Sequence, residues 1–260
     1  MKNNAATTLD QITKTMHING FDFEKVISDF GQVSAYIDRL NGKAFSLRDH
    51  VRGLILAQLS NQRPWGPIAD NLKKIENVFL GFDPESLKGA DHEALSTKVK
   101  ELRCGNRQIG KQCKYLASNI KMLENIQNKY STLDTFITSD HPEKIASKLS
   151  KPGSTKLMQM GFTLTMEYLR NVGINVIKPD LHICRIIGPE RLGLANKEPN
   201  PEEAFRILMD WAEKTDKPAI WIDNVLWLFA AKDYAAICTS DPNCSVCRVN
   251  NCRMNSKSSG

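Results

Sequence analysis

The sequence contains 260 residues, carries a formal net charge of +6 and is 41% hydrophobic. This length supports one large domain or two modest ones with an apolar core, and no apolar run approaches the ~20 residues of a membrane helix. The first residues also lack the apolar centre of a signal peptide, so we expect a cytoplasmic protein without a membrane partner. The moderate positive charge permits a polyanionic partner such as DNA but does not require one.

Apolar residues recur with the helical period of about 3.6 residues, and alternating strand-like runs are nearly absent. In chain order, the clearest predicted helices span residues 23–40, 47–60, 112–130, 202–214 and 219–237. Ser46 precedes the second of these as a plausible N-cap, and Asn200 followed by Pro201 is typical of a helix start. The pattern therefore predicts an all-α protein with about ten helices.

The segment 156–185 has the most informative pattern. It contains a short apolar turn at residues 157–161, an amphipathic helix over about 162–171, and then Asp180 directly after Pro179 at the start of another helix. A carboxylate there lies in the positive field of the helix N-terminus, which favours its ionised form, and such an anion could stabilise positive charge on a nearby sugar. The alternative interpretation is an ordinary helix N-cap, and Asp180 taken alone favours it.

In order and separation, these elements resemble those of the helix-hairpin-helix DNA glycosylase superfamily, in particular endonuclease III. Members carry an LPGVG hairpin, an amphipathic helix and a V-D-T-H-I/V-x-R segment, and the last reads PDLHICR here, at residues 179–185. The resemblance implies that Asp180 is the catalytic carboxylate, and that His182 and Arg185 are structural or lie close to a DNA phosphate. It also implies a DNA N-glycosylase that flips and excises a damaged, mismatched or modified base.

The hairpin departs from the family pattern at two positions. Gln159 takes the place of the first hairpin glycine, while the second is kept as Gly161, and both positions would approach DNA. Thr163 stands where bifunctional members have the lysine that forms a Schiff base, and a hydroxyl cannot form that imine. The resemblance therefore implies a monofunctional glycosylase in which Asp180 assists the attack of water. A bifunctional glycosylase and lyase that uses another lysine, and a non-catalytic module that binds damaged DNA, are the alternatives.

Two further segments are predicted to face DNA. In SNQRPW, the resemblance implies that Gln62 fills the space vacated by a flipped base, and Arg63 and Trp65 could wedge or stack beside it. The alternatives are a solvated Gln62 at a helix end and a core position for Trp65. The basic segment 103–114 matches a DNA-facing loop of the family, so we expect Arg107 and Lys111 to approach phosphate.

Four cysteines crowd one short C-terminal segment with the spacing Cys-x5-Cys-x2-Cys-x4-Cys. They are Cys238, Cys244, Cys247 and Cys252. Four thiolates so close in sequence can enclose a 4Fe-4S cluster or a tetrahedral zinc ion. Endonuclease III and its relatives end with Cys-x6-Cys-x2-Cys-x5-Cys around a 4Fe-4S cluster, so the resemblance favours an iron-sulfur cluster over zinc. A zinc-ribbon interaction protein is the corresponding alternative.

The aromatic residues of the last predicted helices fall on helical faces typical of a core. They are Trp211, Trp221, Trp227 and Phe229. Asp223 lies among them, and the sequence leaves open whether it is a buried structural carboxylate or a pocket residue.

The resemblance implies two helical lobes. Residues 46–175 would form a six-helix barrel with the helix-hairpin-helix. N-terminal helices at 1–45 would pack with a C-terminal lobe at 176–254 that holds the iron-sulfur loop, and we expect a disordered tail at 255–260. The expected partner is double-stranded DNA that contains a target base, bound by a monomer. The sequence does not identify this base, and action on modified foreign DNA is a hypothesis that only the divergent hairpin motivates.

Overall fold

The computed structural model describes the backbone of residues 4–257 and the side chains of residues 4–255. Within these residues, the regular structure consists of seventeen α-helices and two short 3-10 helices, which confirms the all-α prediction. The predicted number of helices was too low because short turns interrupt stretches of continuous apolar periodicity. The predicted helix at 23–40, for example, is divided into two helices by Asp29 and Phe30.

In chain order the helices are α1 (Ala5–Ile18), α2 (Phe23–Ser28), α3 (Gly31–Leu40), α4 (Leu47–Leu59), α5 (Gly66–Ala69), α6 (Leu72–Val78), α7 (Pro84–Lys88), α8 (His92–Glu101), α9 (Ile109–Lys114), α10 (Leu116–Tyr130), α11 (Leu133–Ile137), α12 (Pro142–Ser150), α13 (Phe162–Asn171), α14 (Leu181–Ile187), α15 (Pro201–Thr215), α16 (Ala219–Ala230) and α17 (Arg253–Lys257). The 3-10 helices are Leu80–Phe82 and Cys244–Val246.

The chain divides into two compact units. The central unit comprises residues 38–174, and the terminal unit combines residues 1–37 with residues 175–260. The sequence placed the first boundary at 46, whereas the division falls within α3. The reason is Arg39, whose guanidinium donates hydrogen bonds to the carbonyl of Val172 at 2.7 and 2.9 Å and to Asp134 at 2.7 Å. These bonds attach the last turn of α3 to the central unit.

The core of the central unit forms where α4 packs on α13. A Cβ atom at Gly53 would lie 3.2 Å from Val172 and 3.3 Å from Asn171, so glycine allows the two helices to approach closely. The amide of Asn171 donates to the Gly53 carbonyl at 3.0 Å. These contacts fix α13, the helix that follows the predicted hairpin.

A buried polar network also crosses this core. His50 Nδ1 lies 2.6 Å from the Tyr168 hydroxyl, and His50 Nε2 lies 3.5 Å from Asp134. Burial lowers the pKa of His50, although Asp134 opposes this effect. Burial would raise the pKa of Asp134, but contacts from His50, Arg39 and the Phe45 backbone outweigh it and hold that pKa at about 2. The network therefore favours an ionised Asp134 beside a neutral His50.

The terminal unit is organised around α16, whose residues are buried on nearly all faces, as expected of a helix that is hydrophobic all round. Helix α1 packs on α15 and α16. It also binds the C-terminal segment, since Thr15 Oγ1 accepts the backbone N–H of Arg248 at 3.0 Å and Gln11 accepts that of Asn250 at 3.2 Å. The N-terminal helix thereby holds the segment that carries the four cysteines.

Residues 255–257 belong to α17 rather than to the disordered tail that we expected, and residues 258–260 lie outside the described residues. Along residues 4–257, none of the helices combines the length and the apolar character needed to cross a membrane.

Candidate functional site

The predicted hairpin is the turn between α12 and α13, at residues 157–161. Asn119 lies on α10, is 1% exposed and forms hydrogen bonds with both backbone groups of Met158. Its Oδ1 accepts the Met158 N–H at 2.6 Å, and its Nδ2 donates to the Met158 carbonyl at 3.0 Å. Gln159 follows with a φ of 60°, the left-handed conformation that glycine favours. Gln159 thus has a backbone conformation that glycine would adopt more readily.

Gly161 and Thr163 begin the second hairpin helix. Gly161 is exposed, and a Cβ atom built there would meet nothing within 4 Å. Internal packing therefore does not require glycine at this position. Thr163 is half-buried in the first turn of α13.

One buried residue, Gln58, joins the three central segments that the sequence predicted to face DNA. Its backbone carbonyl accepts hydrogen bonds from Asn106 at 2.7 Å and from Gln112 at 3.2 Å, and its side chain donates to the Met158 carbonyl at 3.4 Å. These contacts link the end of α4, the 103–112 segment and the hairpin turn. Sequence reasoning did not identify Gln58, because its bonds go to residues that are distant along the chain.

The side chains after α4 differ in their availability. Gln62 is exposed and has a φ of 52°, whereas Arg63 and Trp65 are half-buried. The guanidinium of Arg63 donates a hydrogen bond to the backbone carbonyl of Arg103, so it supports this loop internally. Arg107 and Lys111 are both exposed, before and within α9.

Asp180 lies in the terminal unit and is the N-cap of α14. Its Oδ1 accepts the backbone N–H groups of His182 at 2.9 Å and Ile183 at 3.1 Å. Its Oδ2 has no hydrogen-bond partner among the described residues, and the side chain is half-buried. The capping interpretation is therefore correct as a description of the contacts, but capping occupies only one carboxylate oxygen. Arg185 is half-buried in the last turn of the same helix.

Asp223 holds the segment that leads to Asp180. It is 2% exposed on α16, and its Oδ1 accepts the backbone N–H of Lys178 at 2.6 Å. Asn175, at the other end of this segment, accepts the N–H of Ile220 at 3.0 Å. These bonds settle the question that the sequence left open: Asp223 is a buried structural carboxylate attached to the segment 175–180.

A half-buried aromatic cluster lies next to this helix start. The His182 and Trp227 ring centroids are 6.4 Å apart, and Trp227 also contacts Tyr234 at 5.0 Å and Phe30 at 6.2 Å. Burial lowers the pKa of His182, while Asp180 opposes this effect.

The prediction that the aromatic residues belong to the core holds for Trp211 and Phe229, which are buried, but Trp221 and Trp227 are only half-buried. Sequence analysis did not identify Phe30 and Tyr234 as members of this cluster, because the turns that place them beside Trp227 have no periodic sequence pattern.

The four predicted ligands lie in the cysteine loop, residues 238–252, in the terminal unit. Burial and the neighbouring thiols of the other three cysteines raise the pKa of Cys247 to about 11. Cys247 thus lies close enough to the other three thiols to be affected by their charge. As placed, however, no three His, Cys, Asp or Glu side chains in the part of the chain that is described form a group that could hold a metal ion.

The chemistry of the donor set nevertheless fits an anionic metal centre. Arg191 is 5% exposed, and its Nη1 lies 2.8 Å from Cys238 Sγ. A buried guanidinium beside a cysteine sulfur would be electrostatically suited to a centre with net negative charge. That these cysteines hold a metal group stays a prediction.

Known structures with a similar fold are DNA glycosylases. One is the 8-oxoguanine glycosylase/lyase of Methanocaldococcus jannaschii, solved in complex with 15mer DNA containing 8-oxoguanine. Its sequence is 19% identical to this one, the superposition covers 84% of this chain and 95% of that chain, and the TM-score is 0.56. The 8-oxoguanine DNA glycosylase of Thermotoga maritima is 16% identical, with 86% and 96% covered and a TM-score of 0.59. No protein-family model matches the sequence, and no curated protein matches it. The chain therefore has the fold of these glycosylases.

Proposed function

We propose that this protein is a monofunctional DNA N-glycosylase that flips a damaged, mismatched or modified base out of duplex DNA and hydrolyses its N-glycosidic bond. The observation that carries the proposal is the carboxylate of Asp180 in a chain with a glycosylase fold: one oxygen is anchored, and the other has no hydrogen-bond partner in the part of the chain that the structure describes. The motif around Asp180 supports the same role, since PDLHICR resembles the family segment that contains the catalytic aspartate.

Asp180 would act through its free oxygen. The two backbone N–H groups on Oδ1 stabilise the ionised form and fix the direction of the carboxylate. Oδ2 is then available to orient a water molecule, or to stabilise the positive charge that develops on the sugar as the base leaves. Neither role requires Asp180 to form a covalent bond.

Hydrolysis without strand cleavage follows from Thr163. A lyase step needs an amine that attacks the sugar and forms an imine, and a threonine hydroxyl cannot form one. The M. jannaschii protein is described as a glycosylase/lyase, so we expect the two proteins to differ in this step. The product here would be an intact strand with an abasic site.

The central unit would supply the DNA contacts. Gln62 is exposed and can enter the space that a flipped base leaves. The open space at Gly161 allows a phosphate to approach the backbone, and Arg107 and Lys111 are exposed cations suited to further phosphates. Arg63 and Trp65 would support the Gln62 loop.

The direct test is a base-excision assay on a panel of modified duplexes, with 8-oxoguanine first because the similar structures are 8-oxoguanine glycosylases. Each reaction is divided and analysed with and without alkali. The key variant is Asp180→Asn, because asparagine caps helices as well as aspartate and so removes the charge while the cap is kept. Asp22→Asn is the matched control, since Asp22 caps α2 by accepting the Lys25 N–H at 3.1 Å.

We expect strand breaks only after alkali, at least 100-fold slower excision by Asp180→Asn, and unchanged excision by Asp22→Asn. Breaks without alkali would show lyase chemistry from another lysine and would contradict the role of Thr163. Tight binding to DNA with no excision of any substrate would favour the non-catalytic module instead.

We also propose that Cys238, Cys244, Cys247 and Cys252 hold a 4Fe-4S cluster. When bound, the cluster would cross-link the cysteine loop and contribute structure rather than a step of base excision. Anaerobically purified protein should absorb near 400 nm (roughly) and contain iron and sulfide. Colourless protein with one equivalent of zinc would contradict this assignment.

A further inference from the structure

Arg191 connects the two ends of the cysteine loop. Its Nη1 lies 2.8 Å from Cys238 Sγ, and its Nη2 donates to the carbonyl of Thr239 at 2.8 Å. At the other end of the loop, the backbone carbonyl of Arg191 accepts the N–H of Arg253 at 2.8 Å, immediately after Cys252. One residue thus fixes the positions of the first and last cysteines.

The charge of Arg191 is unusual in its surroundings. The residue is 5% exposed and forms no ion pair with an Asp or Glu among the residues that the structure describes. A buried guanidinium is costly unless a negative charge compensates it. Four thiolates around a 4Fe-4S core leave a net negative charge, and Cys238 Sγ is the contact through which Arg191 would meet it.

We propose that Arg191 is the charge partner of the cluster, with a guanidinium that hydrogen-bonds to the Cys238 sulfur, balances the negative charge of the centre and raises its reduction potential. This inference rests on the cluster assignment in the proposed function. A positive charge and an N–H donor at a ligand sulfur stabilise the more reduced and more negative form. Their removal therefore shifts the potential to more negative values.

The test is a redox titration of the cluster in the full-length protein, followed by its visible absorbance. Arg191→Met removes the charge and the donors, Arg191→Gln keeps an amide donor without the charge, and Arg191→Lys keeps the charge. Arg248→Met is the matched control, because Arg248 is an exposed arginine of the same loop and loses the same charge. Iron and sulfide content and the far-UV circular dichroism are measured for every variant, as is the rate of iron loss to a chelator.

We expect more negative potentials for Arg191→Met and Arg191→Gln, a potential near wild type for Arg191→Lys, and no comparable shift for Arg248→Met. If Arg191→Met and Arg191→Gln are folded but hold no iron, while Arg191→Lys keeps its cluster, the requirement for charge is likewise supported. Wild-type potentials and rates of iron loss in the two uncharged variants would overturn the proposal. Loss of the fold in Arg191→Lys as well would also overturn it, because Arg191 would then act only by holding the loop. Wild-type protein without iron and sulfide would instead refute the cluster assignment itself.

Discussion

The conformation of the hairpin turn should depend on Asn119. This residue is 1% exposed and forms two hydrogen bonds with Met158, at 2.6 and 3.0 Å, across 39 residues of sequence. Replacing Asn119 by alanine removes both bonds, and the Met158 carbonyl then retains only the 3.4 Å contact from Gln58. Each lost bond costs about 1 kcal/mol, and the part-buried Met158 N–H left unpaired adds up to about 1 kcal/mol. The central unit should therefore lose about 3 kcal/mol of stability.

The effect is best measured locally and globally in the same protein. Amide hydrogen exchange followed by mass spectrometry reports the protection of peptides that contain residues 152–165, and urea unfolding reports the stability of the central unit. Asn125→Ala is the matched control, since Asn125 is an exposed asparagine on the same helix. We expect faster exchange in the hairpin peptides and weaker binding to duplex DNA for Asn119→Ala, and neither effect for Asn125→Ala.

A hairpin that stays equally protected in Asn119→Ala would refute this reasoning. It would mean that the packing of α12 on α13 alone sets the turn. Lower global stability with unchanged exchange at the hairpin would lead to the same conclusion, because the lost bonds would then stabilise α10 and not the turn.

Three further predictions concern single positions. Gln159→Gly should stabilise the protein by up to about 1 kcal/mol in urea unfolding, since glycine relieves the strain of a φ of 60°, and clear destabilisation would contradict this. The pKa of Asp134 is lowered to about 2, so the ionised carboxylate contributes about 2 kcal/mol to the free energy of unfolding. This contribution is present above the ordinary pKa of 3.8 and is lost as the pH falls towards 2. Asp134→Asn should therefore be less stable than wild type at pH 7, and its free energy of unfolding should fall less between pH 4 and pH 2 (roughly) than that of wild type. Asp223→Asn should reduce the single-turnover excision rate roughly tenfold and leave DNA affinity unchanged, because Asp223 positions Asp180 through the backbone of Lys178. A wild-type excision rate would exclude this positioning role for Asp223.

The fold class and the local role of Asp180 were predictable from the sequence for one physical reason. Helical periodicity and N-capping depend on residues within a few positions of one another, so they leave a direct trace in the sequence. Asp180 binds the N–H groups of His182 and Ile183, two and three positions away. The same reasoning overestimated the lengths of the helices, because short turns such as Asp29–Phe30 preserve the spacing of apolar residues on both sides.

The residues that support the candidate site were not predictable, because their partners are far away in the sequence. Asn119 binds Met158 across 39 residues, Asp223 binds Lys178 across 45, and Arg191 binds Cys238 across 47. In each case a buried polar side chain satisfies a backbone group or a sulfur atom on another element. Buried polar groups need such partners, but the need does not specify which partner is used. Only the tertiary structure identifies these positioning residues.

Gln159 shows why a departure from a family pattern needs a structural test. On sequence alone, Gln159 is a departure from the family's hairpin glycine at a position that would approach DNA. The structure keeps a φ of 60° at this position, so the replacement changes the side chain while the backbone stays left-handed. Asn119 forms hydrogen bonds with both the N–H and the carbonyl of the adjoining Met158, and a strained conformation such as that of Gln159 persists only where its surroundings constrain it. We therefore expect a buried amide on α10 to maintain the shape of the turn without a glycine at position 159.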